Sequence, residues 1–462
     1  MGHQAFWFDD AMAGDKTQPT ALRGKHSSDV AIVGGGYTGL WTGIKLKLAR
    51  PELRVTLVEK HLCGSGASGR NGGAMLTWSS KFPSLCRLYG LEEAIRLVKA
   101  SEAGVGEIRD FCLSHGLDAD IRADGTFYTA TNPSQLGGMS SMLQSLNRHD
   151  INSWYRCSPE ELKQKTGSEV HLEGHFSEAA GSLHPGKLVR GLRRIAIKLG
   201  VEIHELSSVN SIDYGSCNRL NFDEGELICK SLVLATNAWM PELVPELRRS
   251  IILVSSDMVI TEPVPESLAS IGLNHGAAVI DSRTFVHYYR STPDGRLMLG
   301  KGGNTFSFGN RVRNFFDEPS VYSSQLSDKL AWMFPGIRLP LARSWTGASD
   351  RSVTGMPFFG RLTEHSNVFY GLGYSGNGVV QSYLGGDILS SLVLGLDNSW
   401  TRSGLVTGPR GLFPVEPFRY LGANLVRNAI RYQERRQDQD LSVPGVITAV
   451  ANLAASAGKA DH

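Results

Sequence analysis

The chain has 462 residues, of which 41% are hydrophobic and 20% charged, a balance that allows a sizeable buried core and excludes wholesale disorder. Its 47 basic and 45 acidic residues leave a formal net charge of +2, and no long basic run supplies a case for nucleic acid, although a small anionic ligand needs only local charge. No run approaches the ~18 uncharged apolar residues of a membrane span, and MGHQAFWFDDAMAGDK at the start has no apolar signal core, so a cytoplasmic protein is expected. Six widely spaced cysteines, with no CxxC pair and no histidine at ligand spacing, read as reduced thiols, with neither a disulfide framework nor a metal site.

Residues 29–60 read DVAIVGGGYTGLWTGIKLKLARPELRVTLVEK. DVAIV is a short β-branched run of buried-strand type, Gly34, Gly36 and Gly39 follow in GxGxxG spacing, and Leu40, Ile44 and Leu48 then share a helical face before RVTLVEK forms a second strand. In such a βαβ unit Gly34 permits a tight turn, Gly36 lets backbone approach a pyrophosphate, and Gly39 allows close packing of helix on strand. The helix N-terminus around Tyr37 and Thr38 offers free N–H groups to phosphates. Glu59, 20 residues after Gly39, is placed to accept hydrogen bonds from ribose hydroxyls, with Lys60 beside it, which favours FAD or NAD over NADP.

The next stretch, GSGASGRNGG at 64–73, is half glycine, which fits either a flexible linker or a loop pressed against a flat or anionic ligand. Ser65, Ser68, Arg70 and Asn71 set hydrogen-bonding groups among those glycines. The run from GGGYTG through VEK to GASGRNGG resembles the FAD-dependent D-amino acid oxidase superfamily, and within it the γ-glutamylputrescine oxidoreductase-like branch. The resemblance selects the ligand-wrapping alternative and implies that Gly66, Ala67, Ser68, Arg70, Asn71, Gly72 and Gly73 follow FAD from pyrophosphate to isoalloxazine. A narrower similarity, from FWFDDA through LCGSGASGRNGG to KFPSLCRLYG, is to a clade of aminophosphonate oxidoreductases.

Farther along, GSLHPGKLVRGLRRIAIKLG at 181–200 resembles the family's Pro-containing lead into a helix, and VEIHE and SSVNSID read as short strands, with Val209 implied to meet adenine. SLVLATNAW resembles a strand ending in Ala-Thr-Gly, with Thr236 retained and Asn237 in place of the glycine. NVFYGLGYSGNGVVQSYLGGDILSSLVLG reads as strand, glycine turn and helix; the resemblance puts Gly373, Tyr374, Gly376, Asn377 and Gly378 at the flavin pyrimidine edge, with a helix beginning near Gly378.

The expected fold class is α/β, a Rossmann-type FAD-binding domain built from 1–85, 171–245 and 341–408, interleaved with an α+β substrate domain of mixed or antiparallel sheet from 86–170 and 246–340. Residues 409–462 are expected to form an amphipathic helix and a tail, with Phe418, Leu421, Leu425, Ala429 and Tyr432 on the docking face and the last ~20 residues disordered.

The resemblance implies oxidation of a small primary or secondary amine to an imine, with O2 or another electron acceptor completing the cycle; a γ-glutamylputrescine or polyamine oxidase and a flavin-binding redox partner without turnover are the alternatives. Candidate catalytic or substrate-contacting residues are His287, Tyr289, Arg290, Lys301 and Trp345, with Trp78 also considered and Lys81 and Arg343 as further cations for a phosphonate. Two departures matter. In the amino-acid oxidase pattern an arginine four residues after the tryptophan grips a carboxylate, whereas here Trp345 is followed by Ser349, Asp350 and Arg351. The lysine that assists reaction with O2 in monomeric sarcosine oxidases is replaced by Met298.

Overall fold

A computed structural model describes residues 5–15 and 17–461. Val30–Val33 are all buried, as a strand covered on both faces requires. They form the end of strand Gly24–Val33, which pairs in parallel with Val55–Val58 on one side and Gly225–Leu234 on the other. Val201–His204 and His365–Leu372 extend the parallel sheet outward, and Phe358–Leu362 closes one edge as an antiparallel hairpin partner. Register aligns Val33 with Val58 and Leu234, Val58 with His204, and Leu234 with Tyr370. The residues that follow these strands therefore emerge along one edge, the crevice where α/β sheets bind ligands.

Helices Tyr37–Ala49, Pro185–Lys198 and Val379–Val393 cover this sheet, and the long helix Leu91–Ser114 packs on the outside of Val379–Val393. A Cβ on Gly104 would lie 3.1 Å from Val380, and this helix, which the expected boundary at residue 86 gave to the substrate domain, shares a core with Trp41 and Leu384 of the first sheet's helices and with Tyr128 and Ile280 of the second sheet.

A second eight-stranded sheet runs Leu341–Ser352, Ile251–Thr261, Leu297–Phe306, His287–Ser291, Ala278–Asp281, Thr126–Ala130, Glu173–Ser177 and Trp154–Arg156. All its pairings are antiparallel except Ala278–Asp281 with Thr126–Ala130. Leu341–Ser352 and Glu173–Ser177 belong to this sheet, although the expected boundaries gave both to the other domain.

Three further features complete the fold, the last two of them departures from expectation. FWFDDA forms the helix Phe6–Ala13, which packs on Pro185–Lys198 so closely that a Cβ on Gly186 would sit 1.9 Å from the Trp7 carbonyl. In helix Phe418–Asp438 most of the anticipated apolar face points to solvent, with Phe418, Leu421 and Leu425 at 68%, 61% and 63% exposure, while Ala429 of that face is buried. Docking uses Ala429 and Ile430, clustered with Phe285, together with the arginine side: Arg427 and Arg431 donate to Asn304, and Arg283 pairs with Asp438. The tail is ordered into helix Gly445–Ala451 and the turn Asn452–Ala457, with Ala451 packed on Ala429 and Ile430.

Candidate active site

Between the sheets lies a cavity of about 920 Å³. At one end its wall is mainly backbone. Gly34 has φ +114° and would place a Cβ 2.5 Å from the Ala235 carbonyl oxygen, so only glycine makes this turn without strain. A Cβ on Gly39 would lie 2.0 Å from the Gly34 carbonyl oxygen; its lack of a side chain brings the helix N-terminus up to the strand end. Gly36 caps that helix, and the Tyr37 amide donates to Ser68 Oγ at 2.9 Å, tying the first glycine turn to the 64–73 loop. Glu59 accepts from the Gly35 and His61 amides at 2.7 and 2.9 Å, while burial raises its carboxyl above the ordinary range.

The 64–73 loop is held by its own side chains and is no linker. Asn71 donates to the carbonyls of Ala67 and Ser68 and accepts from the Gly73 amide; Arg70 donates to the carbonyls of Ser65, Thr346 and Phe316 and pairs with Asp317 at 3.0 Å. Beneath it, buried Arg190 bridges Asp15 and Glu205, and Glu205 also accepts from the Cys63 amide at the loop's start. Thr38 Oγ1 lies 2.7 Å from the Tyr374 hydroxyl, joining the first glycine motif to the last.

Of the expected cofactor residues, Gly34, Gly36, Tyr37, Thr38, Glu59, Lys60, Gly66, Ala67, Ser68, Arg70, Asn71, Gly72, Gly73, Val209, Thr236, Asn237, Tyr374, Gly376 and Gly378 line the cavity. Gly39, Gly373 and Asn377 stand just behind it, Gly373 at φ +88° in the turn before the helix Val379–Val393. This cradle suits an extended dinucleotide with a flat ring at the far end: glycine turns at a helix N-terminus, a ribose-side carboxylate and a bare loop between them.

The far end is built from side chains, and the expectation there needs correction. None of His287, Tyr289, Arg290, Lys301 and Trp345 is in the cavity wall. On strand His287–Ser291, His287 and Tyr289 face away: His287 bonds Asp281, and the Tyr289 hydroxyl donates to the Thr166 carbonyl beside His171. Lys301, opposite His287 in the register, donates to the Phe285 carbonyl. Arg290 does face the FAD-domain side but is consumed by the carbonyls of Gly72 and Leu183 over the Trp7 ring, and the Trp345 indole donates to the Arg70 carbonyl. These residues brace the site from behind. Trp78 is core, Arg343 pairs with Asp9, and Lys81 pairs with Asp461.

Tyr288 takes the place given to Tyr289. Its ring fills the space left by two glycines, since a Cβ on Gly300 or Gly72 would lie 2.3 or 2.4 Å from ring atoms. Ser256, Met258, Ile280 and Val286 surround it in the cavity wall, and Ser349, Asp350, Arg351 and Lys459 complete that end. Burial raises the Tyr288 phenol and the Asp350 carboxyl and lowers Arg351. Arg351 donates through Nη1 to Ser375 and Ala457 carbonyls, while its Nε is buried and has no hydrogen-bond partner. The strand run SSDMVIT carried Ser256 and Met258 in plain view, but nothing in it distinguished the cavity face.

A group with potential metal-ligand character does exist, away from the cavity: His26, Glu202 and His204 bring one ligand atom each within 4.8 Å of one another, a proximity that residue spacing alone does not show. The cysteines are free. Among the described residues, no helix is long and apolar enough to cross a membrane.

A nucleotide cradle opening under the face of a second sheet is an arrangement that suits a dinucleotide-dependent oxidoreductase. The chain belongs to the DAO family of FAD dependent oxidoreductases, whose family model matches residues 29–392, and FAD is its cofactor. It is 30% identical over 371 residues to gamma-glutamylputrescine oxidoreductase of Escherichia coli (strain K12), covering 79% of this chain and 84% of that protein. A probable oxidoreductase OrdL of Haemophilus influenzae is 26% identical, covering 86% and 89%. Among solved structures, glycine oxidase from Geobacillus kaustophilus superposes with a TM-score of 0.69 at 22% identity, covering 84% of this chain and 99% of that one, a likeness of fold.

Proposed function

We propose that the enzyme oxidises a small primary or secondary amine that carries an anionic group, an aminoalkylphosphonate such as 2-aminoethylphosphonate or its N-alkyl form. The observation that carries this reading is Arg351. Ser349 and Arg351 lie on one face of strand Leu341–Ser352. The cation that the amino-acid oxidase pattern puts at 349 is thus replaced by one two residues farther along, with a buried donor still free. An unsatisfied buried donor costs about 1–3 kcal/mol, which an anionic ligand oxygen would offset, and a charge-assisted fork fits phosphonate geometry.

Bound FAD supplies the two-electron acceptor. The chain's part is to orient and to exclude water. Arg351 holds the anionic group, and the apolar wall of Met258, Ile280 and Val286 favours the neutral amine, whose nitrogen lone pair must be free. Tyr288, kept protonated by burial, offers a hydroxyl to the amine end. Loss of one hydride from carbon and one proton from nitrogen gives the imine; water adds, and ammonia or the alkylamine leaves, giving the carbonyl compound. The site is proposed to pass electrons to O2 or another acceptor.

A second reading, a γ-glutamylputrescine-type amine oxidase, is favoured by the 30% identical relative of that name. Anaerobic mixing of the yellow holoenzyme with 2-aminoethylphosphonate, its N-methyl form, γ-glutamylputrescine, sarcosine and D-alanine decides between them. Fastest bleaching of the flavin band is expected from an aminophosphonate. Fastest bleaching by γ-glutamylputrescine would move the assignment to the second reading, and no bleaching by any amine would favour a redox partner without turnover.

A further inference from the structure

The last described residues enter the site from outside the family match, which ends at residue 392. After the turn Asn452–Ala457, whose Ser456 donates to the Val353 carbonyl, the chain bends through Gly458–Ala460 and brings Lys459 into the cavity wall. Asp461 is fastened by four contacts: its carboxylate accepts from the Ser84 amide at 2.7 Å and Ser84 Oγ at 2.8 Å, pairs with buried Lys81 at 3.2 Å, and its amide donates to the Ser80 carbonyl at 2.8 Å. Ala460 is buried in the main core, and Ser80 Oγ donates to the Lys459 carbonyl. Between these anchors the Lys459 ammonium donates to the Gly376 carbonyl at 2.7 Å and Asn377 Oδ1 at 2.8 Å, and it lines the cavity beside Arg351.

We propose that segment 452–461 is a strap that completes the active site, and that Lys459 is its working residue, an ammonium delivered to the Gly376–Gly378 turn at the pyrimidine end of the flavin. Three features of the geometry support it. The latch uses side chains and backbone of a segment, 80–84, remote from the tail, so the position of Lys459 is specified and not a consequence of loose packing. Among the described residues the ammonium has no carboxylate partner of its own: its hydrogen-bond acceptors are the Ser375 and Gly376 carbonyls and the Asn377 amide oxygen, and the carboxylate nearby, Asp350, already lies beside Arg351. Burial and the neighbouring Arg351 and Lys81 charges hold Lys459 well below the ordinary lysine range, a cost that an added negative charge in the cavity would relieve. Negative charge on the reduced or adduct-bearing pyrimidine is such a charge, and a fixed cation there raises the electron affinity of the ring.

The inference rests on the FAD assignment and not on the identity of the amine, so the test uses a probe that needs no substrate. Sulfite adds to flavin more tightly when positive charge stands at the pyrimidine end. In the holoenzyme, Lys459→Met is expected to weaken sulfite binding at least ~10-fold and to lower the flavin midpoint potential, with Lys459→Arg recovering most of both. Asp461→Asn, which loosens the latch and leaves the ammonium intact, should give an intermediate loss. FAD content, read from the absorbance ratio of each purified variant, confirms that the comparison is made on loaded protein. Sulfite affinity and potential unchanged within twofold in both Lys459→Met and a variant lacking residues 452–462 would overturn the proposal, whichever amine proves to be the substrate.

Discussion

The two ends of the cavity are made of different material. At the nucleotide end the ligand would meet backbone: Gly34 and Gly36 line the cavity with Gly39 packed behind them, none with room for a side chain, and the surrounding side chains, Asn71 and Arg70 above all, spend their hydrogen bonds on holding that backbone still. At the other end Tyr288, Met258, Arg351 and Lys459 project from three strands and a strap, and the backbone behind them is ordinary antiparallel sheet. A backbone-built end accepts one ligand and tolerates almost no substitution. A side-chain-built end can be changed residue by residue, so cofactor identity and substrate choice are separable in this molecule.

Substitutions at the nucleotide end should break that separation most severely. A Cβ on Gly39 would sit 2.0 Å from a carbonyl oxygen in the turn, and neither atom can give way without moving the helix. Gly39→Val is expected to yield protein without bound FAD, the yellow band absent and the thermal midpoint lowered by several degrees. Gly36→Val meets a more yielding neighbour, Ser68 Oγ at 2.9 Å, so it should fold normally by circular dichroism but bind FAD at least ~100-fold more weakly, because the branched side chain occupies the pyrophosphate approach.

At the side-chain end, FAD content should stay constant while turnover falls. Arg351→Met removes the proposed anion partner, and kcat/KM for an aminoalkylphosphonate should drop about 100-fold, equivalent to ~2.7 kcal/mol, with the loss mainly in KM. An anionic amine oxidised at normal kcat/KM by this variant would remove Arg351 from substrate binding. Gly300→Ala should be milder in stability and still costly in activity, roughly 10-fold, because the added methyl must displace the Tyr288 ring that now lies within 2.3 Å of it.

The same difference of material explains what residue order revealed. Gly34, Gly36, Gly39 and Glu59 are spaced by the geometry of one local βαβ unit, and backbone demands of that kind leave a fixed signature in a single stretch. The second sheet gave its strands away through β-branched and aromatic runs, but function there depends on which alternate face meets the cavity, and parity is a long-range property. In HYYRSTPDGRLMLGKGG, pairing of Tyr288 with Gly300 sends Lys301 and His287 to the far side together. The candidates therefore came from both faces of that strand, Arg290 on the cavity side and His287, Tyr289 and the paired Lys301 on the far side, and left out Tyr288. Lys459 was illegible for a different reason: its anchors, Ser80, Ser84 and Gly376, lie over 80 to nearly 380 residues away in the chain, and AASAGKADH carries no periodicity that points to them.

The smallest expected effect is the sharpest test of the parity argument, because it compares adjacent tyrosines. Tyr289 is buried in the core of the second sheet with Phe127, Leu299 and Phe334, and its hydroxyl donates to the Thr166 carbonyl at 2.8 Å. Removing that hydroxyl strands a carbonyl and a histidine nitrogen, so Tyr289→Phe should cost about 1 kcal/mol of stability, read from denaturant unfolding at unchanged slope, with kcat and KM unaltered. Tyr288→Phe deletes a hydroxyl on the cavity side and should do the reverse, leaving stability nearly unchanged and lowering the rate of anaerobic flavin bleaching by about 10-fold. The two residues are neighbours on one strand and point to opposite faces, so an exchange of these two outcomes would mean that His287–Ser291 presents its other face to the flavin, and Lys301 and His287 would then return to the substrate side together.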